Sequence, residues 1–466
     1  MKKTILFVSV LFSLVFSLYA DIPSSKRPKA IDEEKAKAAA AKDESPEDVE
    51  KNRNIIKYGM ASEISDLLGD LIKNDDPRYT EEIYDLFQVT RNSAIKEKVL
   101  NYFTKVEDPC LEDFAVELLS DPYDERNEVI LATFQYVAAV KTKEAIPELI
   151  KIIESENENF FNNAIIALGE VGGPDEAMFL AEYLDREDLS AAQRQALMRV
   201  CGKMHSVETW GRLVDILEDE DENSFVRMYA AESIGQMQLD KSIPVLERNF
   251  DVQDPNLRQY IIKGLSNFPE SAEAKNVILQ GIRDDHWKVR QESIKACESM
   301  KLTDAVPFLI HRAKNDSEKV IKDASFTAIG VLNTADGNKF LIEQLTDKKP
   351  ADTTKAKVVE VLLKQGSAGD KEILELAKET LKDDRRKTLR YAIGKELAKY
   401  DRSNFADICV EYLSSKDTTT ISLGLDMFKI GKYSSAEAAV RTIAEDKKAN
   451  AGNRKRAQKM LGLEEN

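Results

Sequence analysis

Residues able to carry chemistry are few in this 466-residue chain, and they are scattered. Its three histidines, His205, His286 and His311, stand in neither H-x-x-x-H nor H-E-x-x-H spacing, and no C-x-x-C, G-x-S-x-G or phosphate-cradling glycine loop occurs. The stretch "RDDHWKVR" sets Asp284, Asp285 and His286 side by side, a donor set that suits a metal and equally a helix start, where aspartate accepts from orphan N–H groups. The aspartates are not confined to that stretch. Asp188, Asp221, Asp254, Asp285 and Asp316 follow one another at steps of 33, 33, 31 and 31, while Arg194, Arg227, Arg258, Arg290 and Lys322 run at 33, 31, 32 and 32. A carboxylate and a cation that keep step form either a structural ladder or a basic stripe for an acidic ligand. Their placement around a turn favours the ladder. Each Asp then caps the helix that follows, and each cation bridges carboxylates of its own unit and the next. Capping accounts for the aspartates, so no catalytic residue, metal site or cofactor is expected.

The elements that must hold such a ladder repeat with it. Gly169, Gly202, Gly235, Ser266, Glu298 and Gly330 fall at intervals of 33, 33, 31, 32 and 32, each preceded by an apolar residue or a thiol: Leu168, Cys201, Ile234, Leu265, Cys297, Ile329. Gly366, Ala398, Gly431 and Gly462 continue the series, and Ala138 precedes it. Within a unit, "AIPELIKIIES" and "FFNNAIIALGEVGG" both space their apolar residues helically, with a polar turn between them. Pro147, Pro244 and Pro307 mark one early point of the first helix, where a missing N–H costs nothing. No stretch alternates in the manner of a strand. A fixed period of this length predicts stacked helix pairs, none able to bury its apolar faces alone.

A helix pair of this length with an early Pro, Asp in the turn, Val-Arg opening the second helix and Leu-Gly near its end resembles the HEAT repeat family, in its short bacterial and phycobilin-lyase-like form. "SIPVLERNF", "DPNLRQYIIKGL", "AVPFLIHRAKND" and "AIIALGEVGG" carry the resemblance, which covers residues 107 to 466. It implies an all-α, right-handed α-α superhelix, an armadillo-type solenoid of about 11 to 12 helix pairs, and an extended wall of the kind that holds other proteins. Residues 54–106 would be divergent first units, 107–433 the regular repeats and 434–466 a capping unit.

Ahead of the repeats, "MKKTILFVSVLFSLVFSLYA" has two lysines, an apolar run and a small residue, Ala20: a signal peptide, with export to the periplasm or beyond as the expectation. Residues 21–53, rich in Ala, Lys, Glu and Pro, read as a flexible or partly helical tether. The net charge of −16 disfavours nucleic acid as a partner. Charge is uneven: residues 376–466 hold 19 basic and 14 acidic residues. The acidic turn at Glu218, Asp219 and Glu220 points to a protein partner with a basic face, and self-association through the basic end is a further option. Tyr229 and Tyr260 share one position of the second helix, as core filling or as a partner-facing ladder. The four cysteines lie too far apart in the repeat for bridges and read as buried thiols. Composition and motifs together point to a non-catalytic exported scaffold or adaptor. The alternatives are an accessory subunit of an enzyme of the lyase type, or an envelope-associated protein held by an uncleaved leader.

Overall fold

A computed structural model describes residues 27–29, 33–40, 46–155, 159–184, 186, 188–205 and 207–463. The expected leader, residues 1–20, lies outside them. Among the described residues all regular structure is helical, with 27 α-helices, several short 3-10 turns and no strand. No helix among them is long and apolar enough to cross a membrane. The chain forms two compact units, Met1–Leu239 and Asp240–Asn466.

The first unit contains six helix pairs, from Pro46–Tyr58 with Ala61–Asn74 to Trp210–Glu218 with Ser224–Gln236. The second contains seven, from Ser242–Arg248 with Pro255–Leu265 to Glu437–Glu445 with Ala451–Met460. Thirteen pairs therefore stand among the described residues where eleven or twelve were expected. The additional one begins inside the segment read as a tether, since ordered structure starts well before Asn54 with Glu33–Ala40 and Pro46–Tyr58. The reason lies in how Pro46–Tyr58 is held. Only Ile56 is deeply buried, and the rest of its inward face is polar: the Asn52 amide donates to the Tyr79 hydroxyl at 3.2 Å and Arg53 pairs with Glu82 at 2.9 Å. Upstream, the Lys29 amide donates to Asp108 at 2.7 Å, and Lys35 pairs with Asp75 at 3.2 Å. Helical periodicity in apolar residues cannot reveal a helix docked by polar contacts.

Within each unit the second helices of successive pairs pack closely on one another, while the first helices touch more sparsely. Glycine makes that approach possible. A Cβ on Gly169 would lie 2.3 Å from Val200, and on Gly330 2.4 Å from Val361, in each case a residue of the next unit's second helix. The glycine of the Leu-Gly pair is thus the seat for the next unit's helix, which is why it sets the period. It is not a helix terminator. The left-handed residue that ends many second helices comes a few positions later and is not glycine in these units: Glu107, Lys141, His205, Lys301 and Asn333 all have φ between 47° and 63°. First helices contribute their apolar stripe in the ordinary way. In Ile146–Glu154, Leu149, Ile152 and Ile153 are buried, each worth roughly 1.5–3 kcal/mol against exposure, and Pro147 occupies the first turn.

Buried tyrosines tie neighbouring pairs in the first unit. Tyr102 donates to the Asp76 carbonyl at 2.9 Å, and Tyr136, one repeat later, donates to the Asp108 carbonyl at 2.8 Å while accepting from the Leu111 amide at 2.9 Å. Tyr136→Phe removes a hydroxyl that serves two buried backbone groups. Its expected cost is about 1–3 kcal/mol, read as a lower urea midpoint with unchanged helical signal.

Candidate functional site

The ladder exists in a different register from the one the spacing suggested. Arg258 grips Asp284 in bidentate fashion, Nε to Oδ2 at 2.7 Å and Nη2 to Oδ1 at 2.9 Å, while its Nη1 donates back to the carbonyls of Val252 and Gln253 at 2.8 and 2.9 Å. Arg290 repeats the arrangement: Nη1 donates to the carbonyls of Asp284 and Asp285, both at 2.9 Å, and Nη2 to Asp316 Oδ1 at 2.8 Å. Arg194 reaches Glu222 at 2.6 Å, and Arg227 donates to the Leu217 carbonyl at 2.9 Å. Arg194, Arg227, Arg258 and Arg290 thus staple carbonyls of the turn before them or the carboxylate of the turn after, so the own-unit partners of these four are carbonyls and not carboxylates. Lys322 is half-buried with no side-chain partner among the described residues.

Capping also differs from expectation. Asp254 does cap its helix, accepting from the Asn256 amide at 2.9 Å. Asp188 pairs with Arg186 instead, because Ser190 and Gln193 form a capping box at that helix start. Asp221 is displaced by Asn223, which accepts from Phe225. Asp285 is exposed and supplies its carbonyl, while Asp284 accepts from the His286 amide at 2.8 Å. Asp316 accepts from the Glu318 amide at 3.0 Å. The working acids are those whose carboxylate faces the preceding pair's arginine and closes a turn two residues on, a geometry a one-residue shift in loop length conceals. Burial pushes the Asp284 carboxyl up, but Arg258 and the His286 amide outweigh it and hold the group below the ordinary carboxylate range. Lys355 and Arg390 extend the series at steps of 33 and 35, which the period itself could have revealed. Lys355 donates to the carbonyls of Leu345 and Asp347 at 2.7 and 2.6 Å, and the buried Arg390 pairs with Asp384 at 2.9 Å. The side chains of Arg290 and Arg390 are buried and that of Arg258 is mostly so, each held by carboxylates or carbonyls of the turns beside it.

The metal-like triplet is likewise spent on structure, since both oxygens of Asp284 hold Arg258. Among the described residues no group of three or more His, Cys, Asp or Glu side chains is placed to hold a metal. All four cysteines are buried, and burial pushes the thiols of Cys201, Cys297 and Cys409 up to about 12.

Among the described residues a groove open to solvent lies on the second-helix wall of the first unit. Helices Phe161–Val171, Ala191–Lys203 and Ser224–Gln236 bound a cleft of about 510 Å³, and a second, of about 460 Å³, adjoins it toward Asn127–Val140. Ile166 and Glu170 line both. Ile166 is 52% exposed, and Ala192, Ala196, Ala138 and Ala139 keep the floor shallow. Glu170 is held between Lys141 and Lys203, and the Arg199 guanidinium lies 5.7 Å from the Tyr229 ring centre. Tyr229 therefore lines the groove, half-buried. Tyr260, also half-buried, lies in the second unit with Lys263 at 5.5 Å from its ring. Glu218, Asp219 and Glu220 are exposed in the turn that enters Ser224–Gln236. The groove offers apolar contact, amides and balanced charge to an extended ligand.

A family model described as spirochaete HEAT repeat protein matches residues 56–460. The chain belongs to this family. The match takes in the last three residues of Pro46–Tyr58 and everything from there to Met460. Deoxyhypusine hydroxylase of Candida albicans is 28% identical over 125 residues, 26% of this chain and 39% of that protein, so the match spans well under half of the relative. Among solved structures, the complex of CpcE and CpcF of phycocyanin lyase from Nostoc sp. PCC7120 is similar at 14% identity and a TM-score of 0.30, covering 62% of this HEAT repeat chain and 94% of that one. The karyopherin Kap121p bound to the extreme C-terminus of the phosphatase Cdc14p is similar at 10% identity and a TM-score of 0.42, over 92% and 54%.

Proposed function

We propose that this HEAT repeat protein is an exported, non-catalytic scaffold that holds a protein partner along the second-helix wall of its first unit. The observation that carries the reading is the groove centred on Ile166, an exposed branched side chain on a wall whose other large apolar groups are mostly buried. A long shallow groove whose carboxylate, Glu170, is already paired with Lys141 and Lys203 suits an extended protein surface better than a small substrate. One pair offers too little area for a specific interface, which needs about 1,200–2,000 Å², so contacts run over several consecutive second helices. The exposed acidic turn at Glu218, Asp219 and Glu220 flanks the wall and favours a partner with a basic face, bound more weakly as salt rises. The leader-like N-terminus supports export.

The test is photocrosslinking in cells from single positions. Crosslinkers at Ile166 and Arg199 are expected to trap one common protein, and a crosslinker at Met178, exposed on a first helix, should not. Ile166→Asp should weaken capture of that protein by at least about tenfold, as an apolar anchor lost from an interface centre does. Equal capture from all three positions, or capture untouched by Ile166→Asp, would remove the groove from consideration. Cell fractionation checks export: the chain recovered in the cytoplasm with its leader intact contradicts it.

A further inference from the structure

Ile166 and Arg199 stand 33 residues apart, at one point of the neighbouring second helices Phe161–Val171 and Ala191–Lys203, and Gln135, 31 residues earlier, continues the row on Asn127–Val140. One helical turn before them Asn162 and Gln195, also 33 apart, form a second row. All five line the groove. Among the described residues the amides of Gln135, Asn162 and Gln195 form no side-chain hydrogen bond, and Arg199 forms no ion pair; its guanidinium lies over the Tyr229 ring, 5.7 Å from the centre. The groove's other bases, Lys141 and Lys203, share the carboxylate of Glu170. Glu107 lines only the adjoining cleft, and Glu218, Asp219 and Glu220 line neither. Around Ile166, then, three cations stand with one carboxylate, and Arg199 has no share in it.

On the reading that this groove is the binding wall, we infer that it takes an extended acidic segment of the partner, with a carboxylate on Arg199 and an apolar side chain three residues away on Ile166. Charge complementarity selects the acid. A guanidinium over a ring face keeps its N–H edge for a planar, bidentate acceptor, and a basic side chain at that place would meet three cations with one carboxylate among them. Spacing selects the conformation. Second helices in contact lie about 8–10 Å apart, and a polyproline II segment climbs about 3.1 Å per residue at three residues per turn, so side chains three apart share a face about 9 Å apart. A strand fits less well, since its same-face side chains recur at roughly 6.6 Å. A polyproline II segment has no internal hydrogen bonds, and the amides of Gln135, Asn162 and Gln195, each donor and acceptor at once, are there to meet its main chain. The basic face favoured by the turn at Glu218, Asp219 and Glu220 then belongs to the partner beyond this segment.

Selection of displayed random dodecapeptides on the intact chain tests this. Enriched sequences are expected to carry Asp or Glu three residues from a large apolar side chain, and the best of them, made as a fluorescent peptide, to bind with a dissociation constant on the order of 10–100 μM. Arg199→Glu and Ile166→Asp change exposed side chains and should keep the wild-type melting curve. Each should weaken the peptide at least about tenfold, as should Lys in place of the peptide's acid. The Lys peptide on Arg199→Glu should regain most of the loss, which a merely structural Arg199 would not allow. Peptides that need Ile166 but carry no acid, or that bind Arg199→Glu as they bind the wild type, overturn the inference while leaving the groove as the binding wall. Failure to enrich any peptide, or enrichment of peptides indifferent to both substitutions, also overturns it, and crosslinking in cells then decides the groove itself. So does a labelled oligothymidylate that binds more tightly than the peptide and is lost with Arg199→Glu, which would assign the cations to nucleic acid.

Discussion

Gly202→Ala is expected to destabilise the first unit by about 1–3 kcal/mol, whereas Gly211→Ala, close by in sequence, should stabilise it by about 0.5–1 kcal/mol. Both glycines lie within helices, Ala191–Lys203 and Trp210–Glu218, and alanine is the better helix former at either place. Space decides the sign. A Cβ on Gly202 would sit 2.7 Å from the Ser233 Cα and 2.8 Å from its Cβ, and a backbone atom on a packed helix cannot turn aside as a side chain does. The helix Ser224–Gln236 must then move outward, and every contact between those two second helices loosens with it. A Cβ on Gly211 meets nothing within 4 Å, so only the gain in propensity and the reduced freedom of the unfolded chain remain. Urea denaturation followed by helical circular dichroism separates the two: the midpoints should move in opposite directions from the wild type. If Gly202→Ala proves neutral or stabilising, the periodic glycine is not the seat of the neighbouring helix.

That contrast also marks what the sequence could and could not convey. The period was visible because close packing of successive second helices favours a small residue at one point of most units, which leaves Gly169, Gly202 and Gly330 in step, although Glu298 holds that place in one unit. The helix pairs were visible wherever burial rests on apolar stripes such as Leu149, Ile152 and Ile153. Pro46–Tyr58 was not, since Asn52 and Arg53 dock it through polar atoms. The ladder was half legible. Its arginines keep the repeat's register because they stand on helices, whereas its acids stand in turns whose length changes by a residue, so Asp285 takes the place in the count that Asp284 fills in space. The groove was not legible as such: helical periodicity sets Ile166 about 100° round from its buried neighbour Ile165, off the core-facing stripe, but does not show that Ala192 and Ala196 of the next unit lie beside it in a cleft.

Arg290→Ala should cost about 3–5 kcal/mol at neutral pH, the largest loss expected of any rung, because it strands the most deeply buried acid of the ladder. The side chains of Arg290 and Asp316 are 7% and 1% exposed. Asp316 keeps only Arg312, whose Nη1 is 3.4 Å away, and the Glu318 amide. Burial pushes the Asp316 carboxyl up; the Glu318 amide and Arg290 together outweigh it and hold the group below the ordinary carboxylate range. A folded-state value below the unfolded one, near 3.9, means that the stabilisation is fully present above that value and is lost as pH falls through the folded one. In Arg290→Ala the burial effect is no longer opposed by its main cation, so the acid takes up a proton more readily and the strain of an unpaired charge is relieved in acid. The gap in stability between wild type and variant should therefore be widest near pH 7 and close as pH drops below about 4. Arg290→Met with Asp316→Leu, which replaces both charges by apolar groups, should lose less than either single truncation. Lys322→Ala, at the next rung but with no carboxylate to release, should change stability by less than about 0.5 kcal/mol. Denaturation midpoints measured from pH 3 to pH 8 test all three. A gap for Arg290→Ala that is constant across that range, or a double replacement as costly as the single ones, would show that the guanidinium acts through packing and its carbonyl contacts alone, with its charge opposite Asp316 contributing nothing.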